Sequence, residues 1–97
     1  MKIIWLEKAQ RDLSQISSYH EEVATRAVAN SILQRIVNSA TLLASNPYLG
    51  HPSESTEGVH ELQVAKLPYC LPYRVVQDRV EILRVFHQAR ERPEEWG

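Results

Sequence analysis

The sequence is poor in cysteine, in net charge and in long apolar runs. Cys70 is the single cysteine among 97 residues, so no internal disulfide can form. A secreted domain this small normally needs such staples. The four histidines, His20, His51, His60 and His87, have no C-x-x-C pair beside them, so no zinc-ligand spacing emerges. No metal or other cofactor is expected. The opening apolar stretch reaches only to Leu6 before Glu7 and Lys8 interrupt it, too short for a signal peptide or a membrane span. Lys and Arg number 11 against 12 Asp and Glu, for a net charge of −1 and a pI near 6.4. A dedicated nucleic-acid-binding domain usually has a pI above about 9. The expectation is a reduced, soluble, cytoplasmic protein with no membrane partner.

What is present describes one ordinary domain, residues 1–97. The hydrophobic fraction is 43% and the charged fraction 24%, values that exclude a disordered or collagen-like chain. A chain of this length hides roughly 60–70% of its unfolded surface on folding. Residues 2–6 are β-branched or aromatic and predict a short strand. From Glu7, Ala9, Leu13, Ile16 and Tyr19 recur at helical steps, which predicts an amphipathic helix of about four turns with this stripe in the core. Val28, Ile32, Ile36, Ala40 and Leu43 predict a second helix from about Ala24, its stripe widened by Leu33, Val37 and Leu42. Neither Gly nor Pro interrupts residues 21–46. Asn46-Pro47 then ends that helix, because a residue before proline disfavours the α region.

Residues 47–58 hold Pro47, Gly50, Pro52 and Gly58 among serines and a threonine and predict a loop. Three strands follow, over Val59–Lys66, Tyr69–Gln77 and Val80–His87, the last two joined by a tight turn at Gln77-Asp78-Arg79. Pro68 and Pro72 fall in or beside the middle run. A proline donates nothing to a ladder, so hydrogen bonding in that strand is expected to begin near Tyr73. The predicted class is α+β: an N-terminal strand, an antiparallel helical hairpin and a three-stranded antiparallel meander. The helices would cover one face of the small sheet, leaving the other as an open, apolar surface.

That order carries specific residues. Pro72-Tyr73-Arg74-Val75-Val76 is followed by Val80-Glu81-Ile82-Leu83-Arg84-Val85-Phe86-His87-Gln88-Ala89-Arg90, with Asn46-Pro47, Gly50 and Gly58-Val59-His60-Glu61-Leu62 upstream. A Tyr-Arg-Val strand, a hairpin, an Ile-Leu-x-Val strand and a His-x-x-Arg ending resemble the ParE/RelE superfamily of toxins from type II toxin–antitoxin systems. The resemblance runs over nearly the whole chain. It implies the fold just described, growth arrest, and neutralisation by a small cognate antitoxin (ParD-like, acidic and partly disordered) that folds across the toxin surface. Two activities occur on this scaffold, and fold alone does not choose between them. ParE-like members inhibit DNA gyrase by binding it. RelE-like members are endoribonucleases that cut mRNA in the ribosome.

A nuclease needs a proton acceptor, a proton donor and cations around the phosphate. The candidates are Glu61, Lys66, Arg74, His87 and Arg90. Residues 66–92 carry Lys66, Arg74, Arg79, Arg84, Arg90 and Arg92 against Asp78, Glu81 and Glu91, a modest net +3, whereas residues 51–65 hold Glu54, Glu57 and Glu61 with no Lys or Arg. RelE-like members are markedly basic and often end in a catalytic aromatic. Here Trp96 is the C-terminal aromatic, and no tyrosine follows Tyr73. The resemblance therefore favours the ParE branch, with Lys66, Tyr73, Arg74, Arg84, His87, Arg90 and Trp96 as candidate partner-binding residues. An inactive relative that only binds antitoxin is the remaining alternative. Arg74 has a second role open to it, a cross-strand ion pair with Glu61 or Glu81. His87 suits acid–base work or a structural contact. Cys70, with no basic neighbour, reads as an inert buried thiol.

Overall fold

The computed structural model describes residues 1–88. Arg90 and Trp96, two of the candidate partner contacts, lie outside the described residues. The element order is β1 (Lys2–Trp5), α1 (Glu7–Val23), α2 (Arg26–Leu42), β2 (His51–Pro52), β3 (His60–Gln63), β4 (Tyr69–Val76), β5 (Arg79–Ile82) and β6 (Phe86–His87). The α+β class and the helical hairpin are as expected.

Local chemistry sets the helix ends. Thr25 takes the extended conformation and its hydroxyl accepts the Val28 N–H at 3.1 Å, capping α2. At the other end α2 stops at Leu42, before Asn46-Pro47. The Leu43 N–H already bonds Ala40 O, a tightened last turn, and Asn46 N–H bonds Leu42 O. The proline thus closes a turn after the helix rather than the helix itself. The expected loop also holds more structure than its composition suggests, since β2 pairs with β3 through His51↔Glu61 and Pro52↔His60.

The sheet order is β1-β5-β4-β3-β2, with β6 also pairing with β4. β1 runs parallel to β5, the relation a long crossover allows, and the helical hairpin is that crossover. β3, β4 and β5 form the antiparallel meander. The β4–β5 turn has two central residues. Gln77 sits at φ 57° and Asp78 is not at positive φ, the φ signs of a II′ turn, where glycine is usual.

Proline placement differs from expectation, and the reason is geometric. β4 is paired from Tyr69, not from Tyr73, with Pro72 opposite Glu61 in mid-strand. The Pro72 carbonyl accepts from Leu83 N–H at 2.9 Å. The nitrogen of a strand residue faces the same side as its carbonyl, so the missing donor also faces β5 and β6, where the partner strand is broken. The expected continuous strand over 80–87 is two strands, β5 and β6. Tyr73 pairs with Ile82, but Cys70 pairs with Phe86. Two residues on β4 oppose three on the other chain, so the segment Leu83–Val85 contains a one-residue bulge. Proline is tolerated there because no ladder bond is lost.

The main core joins Ala9, Ile36, Ala40 and Leu43 of the helical layer to Leu62, Val64, Tyr69, Leu71, Tyr73, Val80, Ile82 and Val85, with Trp5 packed against it. The helical stripes are narrower than their periodicity: Tyr19, Val28, Val37 and Leu42 are exposed. The sheet's outer face is not an open apolar surface. Among the described residues Cys70 and Pro72 are buried there, Val59, Leu83, Leu6 and Phe86 make a second small cluster, and Ile4 and Val76 share the rest with Arg74, Arg79 and Glu81.

Gly50 sits where β3 and Tyr73 leave no room. A Cβ at that position would lie 2.6 Å from Glu61 O and 2.9 Å from the Tyr73 ring. We expect Gly50→Ala to destabilise the fold by about 1–3 kcal/mol, read as a lower urea midpoint. An unchanged midpoint would show that β2 moves aside freely.

Candidate functional site

Three clusters of polar side chains surround the core. The first joins α1 to the bulge. Arg84 donates to Asp12 through Nε at 2.7 Å and Nη2 at 3.1 Å, and the Val85 N–H donates to Asp12 Oδ2 at 2.9 Å. Asp12 is largely buried. A bidentate guanidinium–carboxylate pair is among the stronger polar contacts, and Asp12 holds the Arg84 guanidinium more firmly protonated than usual. Arg84, expected to be solvated or partner-facing, is thus turned toward α1. Asp12 was missed in the sequence, although a signal existed. It lies three residues after Ala9 and four before Ile16, on the apolar stripe, where a carboxylate needs a partner.

Next to this pair lies a cavity of about 250 Å³ lined by Asp12, Gln15, Tyr19, Tyr69 and His87, among others. The bulge explains why His87 is here. An unbroken strand would alternate Val80, Ile82, Arg84 and Phe86 onto the helical side. The extra residue reverses that parity, so His87 stands opposite Tyr69 and Phe86 opposite Cys70. The Tyr69 ring meets His87 edge-on at 5.3 Å, and its hydroxyl lies 3.0 Å from His20 Nε2. Tyr19 packs edge-on against His20 at 5.0 Å.

The second cluster is on the outer face. Arg74 stands directly opposite Glu81 and its Nε donates to Glu81 Oε1 at 2.6 Å, while Arg79 Nε donates to Oε2 at 3.0 Å. These hydrogen bonds, from Arg74 first and Arg79 second, hold the Glu81 carboxyl below the usual carboxylate range. Of the two cross-strand partners considered for Arg74, the structure selects Glu81. Glu61 is buried on the same face, 3.9 Å from His51 Nε2.

The third cluster is around Tyr73. This residue, expected at a partner surface, is fully buried. Its hydroxyl accepts the Gly50 N–H at 3.0 Å, its ring stacks on His60 at 5.7 Å, and burial pushes its phenol pKa up. Lys66 lies apart, in the β3–β4 turn at φ 63°, exposed. The candidate nuclease residues among those described are therefore not gathered. Glu61 and Arg74 share the outer face, His87 points to the helical side, and Lys66 occupies a turn. Among the described residues no group of three or more His, Cys, Asp or Glu is placed to hold a metal ion. None of their helices is long and apolar enough to cross a membrane.

Comparison with known proteins matches this arrangement. The family profile described as "ParE toxin of type II toxin-antitoxin system, parDE" matches residues 3–92. The chain belongs to the ParE toxin family. It is 36% identical over 93 residues to the protein named "Putative toxin Y4kP" of Sinorhizobium fredii (strain NBRC 101917 / NGR234), covering 96% of this chain and 94% of that protein. A chain of the solved structure titled "Chromosomal ParDE TA system from P. aeruginosa" superposes with a TM-score of 0.81 at 30% identity, covering 90% of this chain and 95% of that one. The resemblance drawn from the Tyr-Arg-Val and Ile-Leu-x-Val strands is thereby established at the family level, and this ParE-family chain is a toxin of a type II toxin–antitoxin system.

The two ion-pair clusters give separate expectations. Asp12→Ala leaves Arg84 without its partner and one bulge N–H unpaired, and should cost about 3 kcal/mol, the lower end for breaking a buried pair because Arg84 is partly exposed. In a double-mutant cycle with Arg84→Ala the two losses should be strongly non-additive. Additive losses in urea unfolding would show that the pair does not couple α1 to the bulge. Folding lowers the Glu81 pKa, so its contribution is whole above the ordinary carboxylate range and disappears as pH falls through the lowered value. Glu81→Gln should therefore flatten the acid limb of the stability–pH curve. A variant with the wild-type acid limb would place the pH dependence elsewhere.

Proposed function

We propose that this toxin acts in the cytoplasm by binding DNA gyrase, and that a cognate small antitoxin neutralises it. Family membership supplies the scaffold. The observation that favours gyrase over the ribosome is the fate of the basic residues. Between Lys66 and Gln88 the basic side chains are Lys66, Arg74, Arg79 and Arg84. Three of these are held in ion pairs, Arg74 and Arg79 by Glu81 and Arg84 by Asp12. Ribosome engagement draws on many phosphate contacts, and paired arginines contribute less to them than free ones. Acid–base cleavage also needs its groups within hydrogen-bond reach of one another's substrate atoms, whereas Glu61 and His87 stand on opposite faces of the sheet. Binding a protein target requires no such gathering.

The test is supercoiling by purified gyrase with the toxin titrated in, alone and premixed with its antitoxin. Inhibition that the antitoxin reverses is the expected result. Arg74→Ala should change that inhibition by less than about tenfold, since it removes no reacting group. Unchanged supercoiling, together with new mRNA 3′ ends on translating ribosomes, would overturn the reading in favour of ribonuclease activity.

A further inference from the structure

The cavity beside the Asp12–Arg84 pair is used neither by the core nor by the reading above. Its volume of about 250 Å³ lies below the range of drug-sized ligand pockets and suits a single side chain. Tyr69 and His87 form one wall, their rings meeting edge-on at 5.3 Å. The other wall is α1, which contributes Asp12, Gln15 and Tyr19. Steps of three and four residues place these three on one helix face. Gln15 is exposed and Tyr19 is 51% accessible, so the cavity opens to solvent along this face.

The spare hydrogen-bonding capacity on the α1 wall is of one kind. Asp12 Oδ2 accepts from both Arg84 Nε and the Val85 N–H, whereas Oδ1 accepts only Arg84 Nη2, at 3.1 Å. A carboxylate offers about four acceptor positions, so one stays open on Oδ1. The Gln15 amide and the Tyr19 hydroxyl make no hydrogen bond among the described residues. All three groups can accept. Among the described residues no lysine or arginine lines the cavity. An incoming anion would meet a carboxylate and no lining cation. An aliphatic group would strip water from three acceptors and replace none of its bonds. A flat, positively charged donor satisfies the acceptors, and the aromatic surface of Tyr19 and Tyr69 attracts a cation over its face. Arg84 does not exclude a second guanidinium at Asp12. On the outer face Glu81 already holds two, Arg74 on Oε1 and Arg79 on Oε2.

We propose that this cavity receives an arginine side chain of the toxin's target, its guanidinium donating to Asp12 Oδ1 and Gln15 and lying against Tyr19. The proposal rests on the gyrase reading above and adds to it the place and the chemistry of contact. Arginine fits better than lysine, because a planar fork reaches two acceptors at once and stacks on a ring. An arginine that fills a pocket at the centre of an interface carries a large share of its binding energy, so a cavity for one side chain can govern affinity. An acidic antitoxin finds no such complement here, and the site therefore distinguishes target from antitoxin.

The experiment titrates N-acetyl-arginine methylamide into the intact toxin and follows the Gln15 side-chain amide and the Tyr19 ring by NMR. Saturable shifts are expected, with N-acetyl-lysine methylamide binding at least about threefold more weakly. Gln15→Lys sets an ammonium three residues from Asp12 on the same helix face, where it occupies the site itself. Gln15 is exposed, so this variant should keep the wild-type melting curve. It should lose the Tyr19 shifts and weaken gyrase inhibition by more than about tenfold, while binding the antitoxin as the wild type does. Tyr19→Leu keeps an apolar side chain without a ring and should weaken probe binding about threefold or more. Shifts that never saturate, equal binding of the two probes, or binding retained in Gln15→Lys would overturn the cavity as a guanidinium site. Gyrase inhibition unchanged by Gln15→Lys, or an equal loss of antitoxin affinity, would overturn its assignment to the target. Free L-arginine binding more tightly than the capped probe would assign the cavity to the amino acid and overturn the proposal. A wild-type toxin that leaves supercoiling unchanged would refute the gyrase reading and this partner together, a failure that the probe titration separates from failure of the cavity.

Discussion

Everything on the α1 side of the sheet depends on one carboxylate meeting one bulge. Pro72 cannot donate in mid-strand, so the neighbouring chain is free to carry an extra residue over Leu83–Val85. An extra residue alone would leave backbone groups unpaired and a strand bent at random. Asp12 removes both difficulties by taking the Val85 N–H and both ends of the Arg84 fork. The helix is thereby fixed to the sheet by a directional contact, in addition to the non-directional burial of Ala9 and Ile36. The same bulge decides which side chains line the α1 cavity. It rotates His87 toward Tyr69 and the helices and sends Phe86 to the small outer cluster.

The charge distribution changes meaning once the pairs are known. In the sequence, residues 66–92 stand out as a basic region offset by an acidic loop. In the fold, Glu81 takes two of those cations and Asp12 a third. Positive charge in the strands is therefore largely taken up within the sheet, and Arg35 and Lys66 stand exposed apart from those pairs. Of these only Lys66 belonged to the segment that looked basic. Arg35 lies on α2, where its position among polar neighbours gave no reason to single it out.

The fold was legible because its elements are strongly periodic and separated by prolines, glycines and turn residues. The two helices and the meander follow from those patterns, and the family from the order of the Tyr-Arg-Val and Ile-Leu-x-Val strands. What was not legible needed knowledge of neighbours. Pro72 read as a strand start because its N-terminal context is all that a sequence offers; that its missing donor faces a break depends on a strand ten residues later. The run Val80–His87 is dense in Val, Ile, Leu and Phe, so nothing in it marked the change of parity at Leu83–Val85. Leu42 and Val37 satisfied helical spacing yet are exposed, because a stripe spanning so wide an arc exceeds what one small sheet can cover. Tyr73 was a surface candidate by motif and a core residue by packing, since the ring is needed beneath Gly50 and beside His60.

The exposed leucines are not scattered. A chain of this size has little apolar surface to spare for solvent, and scattered exposure would need no explanation. Here Leu42 and Leu49 stand exposed along adjoining cavities between the end of α2 and the edge of β3. On the opposite side of the molecule Asp12, Arg84 and the bulge satisfy one another. The two sides of this small domain thus differ among the described residues: one is tied together by its own polar contacts, and the other keeps leucine side chains exposed.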